Sequence, residues 1–122
     1  MPFNETVTDL TFSAYWYIIP VMKAVPVKRV KVSDEHGNTI EIKVWSVPRS
    51  PEKPHGYKYS LVYVVDEKRV VGYDNAEGRG DHRHYHDKEE PYTFKGIDRL
   101  LDDFYKDVRR YLHESQKSEN RN

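Results

Sequence analysis

The stretch YKYSLVYVVDEKRVVGYDN, residues 57–75, decides the fold of this chain. Its first half is rich in β-branched and aromatic side chains, which favour a strand. Residues 67–68 then supply a short turn, and RVVGYDN at residues 69–75 supplies a second strand. Strands joined by so short a turn pair in antiparallel fashion. An antiparallel sheet is therefore predicted to be the centre of the protein.

Two segments on the N-terminal side alternate apolar and polar residues. KRVKVSD at residues 28–34 and NTIEIKVWSV at residues 38–47 flank a turn in which Gly37 suits a positive φ. This pattern predicts a β-hairpin. PRSPEKPHG at residues 48–56 contains three prolines and a glycine and is predicted to be a loop. HRHYH at residues 82–86 fits either a short strand or an extended arm.

The C-terminal part predicts a helix from about residue 97 to about residue 114, with one face on the sheet. The apolar residues at helical spacing are Ile97, Leu100, Leu101, Phe104, Val108, Tyr111 and Leu112. The fold class is thus predicted to be α+β, with an antiparallel sheet of four to five strands packed by a C-terminal α-helix. We expect one domain at residues 25–114, a variable N-terminal element with a strand at residues 1–24, and a frayed polar tail at residues 115–122.

Composition narrows the function classes. A chain of 122 residues suggests one domain, and the lack of cysteine excludes disulfides and thiolate metal sites. Lysine plus arginine equals aspartate plus glutamate at 20 each, so no global field attracts nucleic acid, although a local basic patch stays open. The apolar stretches are too short to span a bilayer, and the N-terminus lacks the basic residues of a signal peptide. We therefore expect a cytoplasmic protein without a membrane partner.

Three histidines at a spacing of two, His82, His84 and His86, follow a glycine-rich, charged turn. On an extended strand such residues share one face, and neighbours stand about 6.6 Å apart. Two imidazoles at that distance can flank a scissile phosphate. One would remove the proton of an RNA 2′-OH, and the other would protonate the leaving 5′-oxygen. His82 and His84 are therefore the candidate catalytic pair, with a solvent-exposed arm as the alternative interpretation.

The neighbours of this pair supply candidates for the remaining roles. Asp74 could orient an imidazole, although turn formation explains it equally well. A pentavalent phosphorane needs positive charge, for which Arg79 in the loop and Lys58 on the adjacent strand are the candidates. Alternation sends Arg83 to the opposite face. His55, in the proline loop, could face the same cleft.

Metal binding is a second chemical interpretation of the histidines. His82, His84 and His86 could ligate zinc, nickel or iron, with an oxygen ligand from Asp74 or Asp81. Three histidines in one extended run give poor tetrahedral closure, so the preferred hypothesis contains no metal and no cofactor.

Five segments occur in a characteristic order: VWSVP, PHGYKYSLVYVVD, RVVGYDNAEGRGDHRH, EEPYTF and a helix beginning IDRLLDDF. Over about residues 27–112 this succession resembles the TumE family, proposed toxin components of prokaryotic type II toxin–antitoxin pairs. The resemblance implies a helix-turn-helix antitoxin as the protein partner. Many small toxins of this kind cut RNA, and this analogy, together with the histidine pair, makes a metal-independent endoribonuclease the leading hypothesis.

Two rival hypotheses remain. One is a non-enzymatic module that binds a partner protein through its hairpin and tyrosine-rich sheet, which the neutral charge balance favours slightly. The other is a metal-dependent hydrolase that uses the cluster of His82, His84 and His86. The sequence leaves a homodimer open.

Overall fold

The computed structural model describes residues 24–76 and 78–120 of the chain. Within these ranges six strands are followed by one helix, which confirms the α+β class and the C-terminal helix. The strand predicted in the N-terminal element lies outside the described residues. The elements are β1 (Val25–Ser33), β2 (Thr39–Ser46), β3 (Tyr57–Val65), β4 (Lys68–Asp74), β5 (His82–Tyr85), β6 (Lys88–Pro91) and α1 (Ile97–Asn120).

The strands form one sheet in the order β1-β2-β3-β4-β5-β6, and each is antiparallel to the next. The predicted count of four to five strands was therefore too low. HRHYH forms a true strand in its first four residues, and the following KEEP pairs with it as β6. KEEP has no apolar alternation and ends on a proline, which suits only an edge strand. KEEP is a strand because it pairs with β5, although its own sequence pattern does not predict one.

The turn between β3 and β4 lies one residue earlier than predicted. Asp66 and Glu67 occupy it with φ values of 51° and 66°, as a two-residue type I′ turn requires, so β4 begins at Lys68. The register then shifts, because Val64 pairs with Arg69 while Tyr63 pairs with Val71. β4 thus contains one extra residue, which forms a β-bulge. The bulge turns the side chain of the residue before it, Arg69, to the opposite face of the sheet.

One face of the sheet packs against α1, and the core lies between them. The predicted helical stripe is confirmed, since Leu100, Phe104 and Val108 are buried. The buried apolar residues of the sheet are Ile42, Val44, Tyr59, Leu61, Tyr63, Val71, Tyr73 and Tyr85. The alternate side chains of the same strands point away from α1 and form what we call the far face.

Arg83 lies on the helix side of the sheet, opposite the histidine pair, as alternation predicted. Its Nε donates to Oδ2 of Asp107 on α1 at 2.6 Å, and the same oxygen accepts from the hydroxyl of Tyr73 at 2.6 Å. Asp107 is buried, so this charged contact ties β4, β5 and α1 together.

Helix α1 continues to Asn120, past the end predicted near residue 114. Residues 115–120 are therefore helical. No helix within the described ranges has the length and apolar character that crossing a bilayer requires.

Candidate functional site

His82 and His84 lie on β5 and point to the far face, with ring centroids 5.0 Å apart. The antiparallel register pairs His82 with Asp74 and His84 with Gly72 of β4. Both histidines are buried, at 5% and 8% exposure, so the segment is not a solvent-exposed arm. The structure thus brings together Asp74, His82 and His84, three of the residues singled out from the sequence.

The partners of His82 allow either tautomer of its ring. With the hydrogen on Nδ1, the ring donates to the carbonyl oxygen of Gly80 at 3.2 Å, and Nε2 accepts from Nη2 of Arg79 at 3.2 Å. A φ of +80° at Gly80 gives the loop the conformation for this contact. With the hydrogen on Nε2, the ring donates to Oδ1 of Asp74 at 2.9 Å. Asp74 can accept a hydrogen bond as soon as Nε2 gains a proton.

His84 has the opposite arrangement. Its Nδ1 lies 3.0 Å from Nη2 of Arg69, and a guanidinium only donates, so Nε2 carries the hydrogen. Among the described residues this buried Nε2 has no hydrogen-bond partner, and the carboxylate of Asp74 lies 3.6 Å away. Burial, and then the charge of Arg69, lowers the pKa of His84 below its ordinary value of 6.5. His84 therefore offers an unsatisfied N–H from a neutral ring.

Arg69 is the functional residue that sequence reasoning missed. Alternation places Arg69 on the helix side with Val71, but the bulge of β4 moves it to the far face. Its side chain then passes over Gly72, where an added Cβ would lie only 2.8 Å from Cδ of Arg69. A glycine inside a strand often marks such a close approach, and Gly72 was the signal that could have revealed it.

The two cations predicted for the site have different positions. Nη2 of Arg79 lies beside His82, as described above, and its Nη1 lies 3.0 Å from Oε2 of Glu89 on β6. Lys58 is on the far face, but its Nζ lies over the ring of Trp45, 5.9 Å from the centroid. Ser60, not Lys58, pairs with Asp74 across β3 and β4. Lys58 therefore does not adjoin the histidine pair.

His86 does not share the face of His82 and His84. It lies in the turn after β5 with a φ of 55°, and its ring centroid is 5.3 Å from that of Tyr111 on α1. The predicted three-histidine cluster is therefore wrong, because the strand ends at Tyr85 and alternation ends with it.

His55 and Asp81 form a separate contact. Nε2 of His55 lies 2.9 Å from Oδ2 of Asp81, and its Nδ1 accepts from the backbone N–H of Tyr57 at 3.2 Å. The hydroxyl of Tyr59 donates to the same carboxylate oxygen at 2.7 Å. Both ring nitrogens of His55 thus have hydrogen-bond partners. His55 and Asp81 therefore have a structural role at the end of the sheet.

Asp74, His82 and His84 also form a group that could hold a metal ion, since their donor atoms all lie within 4.8 Å of one another. Two imidazoles and a carboxylate suit zinc or iron. A ligating histidine normally donates its other ring N–H to an acceptor, whereas Nδ1 of His84 accepts from Arg69. The hydrogen on Nε2 would have to be lost and Arg69 displaced, so the arrangement does not fit a metal as it stands.

Two depressions meet the site on either side of Glu89. One of about 700 Å³ is lined by Arg69 and His84, and the other, of about 340 Å³, is lined by Arg79 and His82. The larger depression is also lined by Lys68, His86 and Asp87, and the smaller by Asp81 and Glu90, so each combines cationic and acidic groups around the histidine.

A comparison with protein families supports the resemblance found in the sequence. A family model described as Toxin TumE matches residues 21–112, which include all six strands and the site. Neither the search of curated proteins nor that of solved structures gave a match. Because the family match covers most of the chain, the protein belongs to the TumE toxin family.

Proposed function

We propose that this protein is the toxin of a type II toxin–antitoxin pair and acts in the cytoplasm as a metal-independent endoribonuclease. Its membership of a toxin family supports the toxin role and, with it, an antitoxin partner. The observation that carries the cleavage hypothesis is the unsatisfied N–H of His84 beside the imidazole ring of His82.

His82 is the general base in this mechanism, which uses the tautomer with the hydrogen on Nδ1. Its Nε2 removes the proton of the 2′-OH, and the 2′-oxygen attacks the adjacent phosphorus. The new Nε2–H then donates to Oδ1 of Asp74, 2.9 Å away. A carboxylate so close stabilises the imidazolium, and low exposure strengthens this interaction. Asp74 therefore keeps the orienting role that the sequence predicted.

His84 is better suited to donate a hydrogen bond than to act as the acid first predicted for it. Its lowered pKa leaves it neutral at neutral pH, and its Nε2–H can bond an oxygen of the phosphorane. The departing 5′-oxygen takes its proton from water, and a 2′,3′-cyclic phosphate remains. Arg69 and Arg79 supply the positive charge, while Lys58 is too distant for this step.

The direct test is incubation of RNA with the protein in EDTA. Wild type should cleave and leave 2′,3′-cyclic phosphate ends, and His82→Ala should lose at least about 100-fold in rate. His84→Ala should also be impaired, because it lacks the Nε2–H donor. RNA left intact by wild type, or cut equally by both variants, contradicts the proposal and favours a protein-binding module.

The partner requires a separate experiment. We propose that the antitoxin is a helix-turn-helix protein. Expression of the toxin alone should arrest growth, and co-expression of such a partner, or the change His84→Ala, should restore it. Arrest that persists with the partner present contradicts this assignment. Size measurement of the purified toxin decides whether it is a homodimer.

A metal-dependent hydrolase is the second candidate, favoured by the close donor atoms of Asp74, His82 and His84. It predicts stoichiometric metal by elemental analysis and cleavage that EDTA abolishes. His86 has no part in this alternative, since it lies in the turn.

A further inference from the structure

A cationic and aromatic patch lies on the far face beside the proposed site. It consists of Lys43 and Trp45 on β2 and Lys58 on β3, and we call it the β2–β3 patch. The register pairs Trp45 directly with Lys58, whose Nζ lies 5.9 Å from the indole centroid. Trp45 is partly exposed on this face.

The patch and the histidine pair lie along one line across the sheet. Register pairs place Lys43, Ser60, Asp74 and His82 in a single row over four strands. Neighbouring strands are about 4.8 Å apart, so the backbones of Lys43 and His82 are roughly 14 Å apart. The residue between Lys43 and Asp74 is the small Ser60, which leaves the surface low between the patch and the site.

The patch concentrates positive charge in a protein whose net charge is zero. Burial, together with the neighbouring charges of Lys53 and Lys43, lowers the pKa of Lys58. In the part of the chain that the structure describes, neither Lys43 nor Lys58 forms an ion pair with a carboxylate. Glu41, the acid of β2 on this face, pairs in register with Lys31 of β1. The patch thus carries cations that the described carboxylates do not neutralise.

We propose that the β2–β3 patch binds the single-stranded RNA that flanks the cleavage site. This inference rests on the proposed function, which places RNA at His82. Lysines track phosphates, and an exposed aromatic ring stacks on a base; this combination characterises single-strand binding surfaces. A duplex keeps its bases stacked and hides their faces from Trp45. The patch therefore selects an unpaired strand and guides it toward the histidine pair.

The test measures binding of a fluorescent RNA with 2′-O-methyl groups throughout, which cannot be cleaved. Lys43→Ala/Lys58→Ala should weaken binding about tenfold or more. It should also lower the slope of log affinity against log salt by about 1.4, because two phosphate contacts are lost. Trp45→Ala should weaken binding at least about fivefold without changing that slope. The control Lys106→Ala/Arg109→Ala removes two exposed charges from α1 and should bind like wild type.

Several results would overturn the proposal. These are no binding by wild type, equal affinity of all variants, or equal affinity of wild type for duplex and single strand. The outcome is separable from the cleavage hypothesis because the probe has no free 2′-OH. If the patch variants lose binding and wild type does not cleave ordinary RNA, the patch proposal is supported and the endoribonuclease proposal is rejected. If wild type cleaves ordinary RNA and the patch variants bind normally, the endoribonuclease proposal is supported and the patch proposal is rejected.

Discussion

Arg69 crosses Gly72 to place its Nη2 3.0 Å from Nδ1 of His84. This relationship sets the proton of His84 on Nε2, the nitrogen that faces Asp74. It depends on a strand residue without a side chain and on a bulge that turns Arg69 to the far face. Two local features of β4 thus determine which nitrogen of His84 carries the hydrogen.

Gly72→Ala should displace Arg69 from His84, because the new Cβ would lie 2.8 Å from Cδ of Arg69. Loss of the nearby charge should raise the pKa of His84 toward 6.5 and reduce RNA cleavage. The free energy of unfolding should change by less than about 1 kcal/mol, since alanine restricts the unfolded chain. NMR titration of the His84 ring reports the pKa independently of cleavage.

Arg69→Ala provides the matched comparison. If Gly72→Ala acts through Arg69, the double variant Gly72→Ala/Arg69→Ala should be no more impaired than Arg69→Ala alone. Additive losses of cleavage would show that Gly72 affects the site by another route.

The depressed pKa of His84 should make the protein less stable as the pH falls. The unfolded state, with an ordinary pKa of 6.5, binds a proton before the folded state does. The contribution of His84 is therefore fully present above about pH 6.5 and is lost as the pH falls through the folded pKa. Urea unfolding between pH 5 and pH 8 measures this. His84→Gln should show a shallower decline, and parallel curves for the two proteins would contradict the assignment.

Arg83→Met should destabilise the fold, because it leaves the buried carboxylate of Asp107 with only the hydroxyl of Tyr73. A broken buried pair costs several kcal/mol, and partial exposure reduces this to about 2–3 kcal/mol here. Arg83→Met/Asp107→Leu should regain much of the loss. The control Arg99→Met breaks an exposed pair with Asp103 and should cost at most about 0.5 kcal/mol in urea unfolding.

Cleavage by the folded fraction should be unaffected by Arg83→Met, since Arg83 lies on the opposite side of the sheet from His82. A loss of cleavage greater than the loss of folded protein would show that the helix side contributes to the site.

His86→Asn should leave cleavage unchanged and cost at most about 1 kcal/mol in free energy of unfolding, from the lost ring contact with Tyr111. Asparagine tolerates the left-handed conformation that His86 adopts in its turn, with a φ of 55°. The variant therefore removes an imidazole and keeps the backbone. A rate assay beside His82→Ala checks this, and a comparable loss in both variants would restore the third histidine to the site.

The sequence predicted those parts of the fold whose signals are local. The hairpins of β1–β2 and β3–β4 have alternating strands and turn residues, and α1 has an apolar stripe at helical spacing. Its extension to Asn120 was missed because SQKSEN is polar, and polarity was taken as the end of the helix. Strand β6 was missed because KEEP pairs through its backbone and buries no apolar face.

The site was predictable as far as alternation holds. His82 and His84 share a face because they are two residues apart, and the short loop after Asp74 brings β4 beside β5. Arg69 could not be placed in this way, because a single bulge turns its side chain to the other face of the sheet. Alternation also placed Lys58 on the correct face but gave no distance across the strands, and hydrogen-bond directions at the imidazoles depend on coordinates.

The strand order of the sheet follows the order of the chain, and this has an evolutionary consequence. The residues of the proposed site lie between residues 69 and 89, on β4 to β6 and the loop between β4 and β5, whereas the β2–β3 patch belongs to an earlier segment. The two segments are joined by the β3–β4 ladder and by the contacts of His55 and Tyr59 with Asp81, none of which involves the side chains of the patch. Under the proposed function, substitutions in the patch can therefore change the choice of target among descendants of this gene while the site on β4 to β6 is retained.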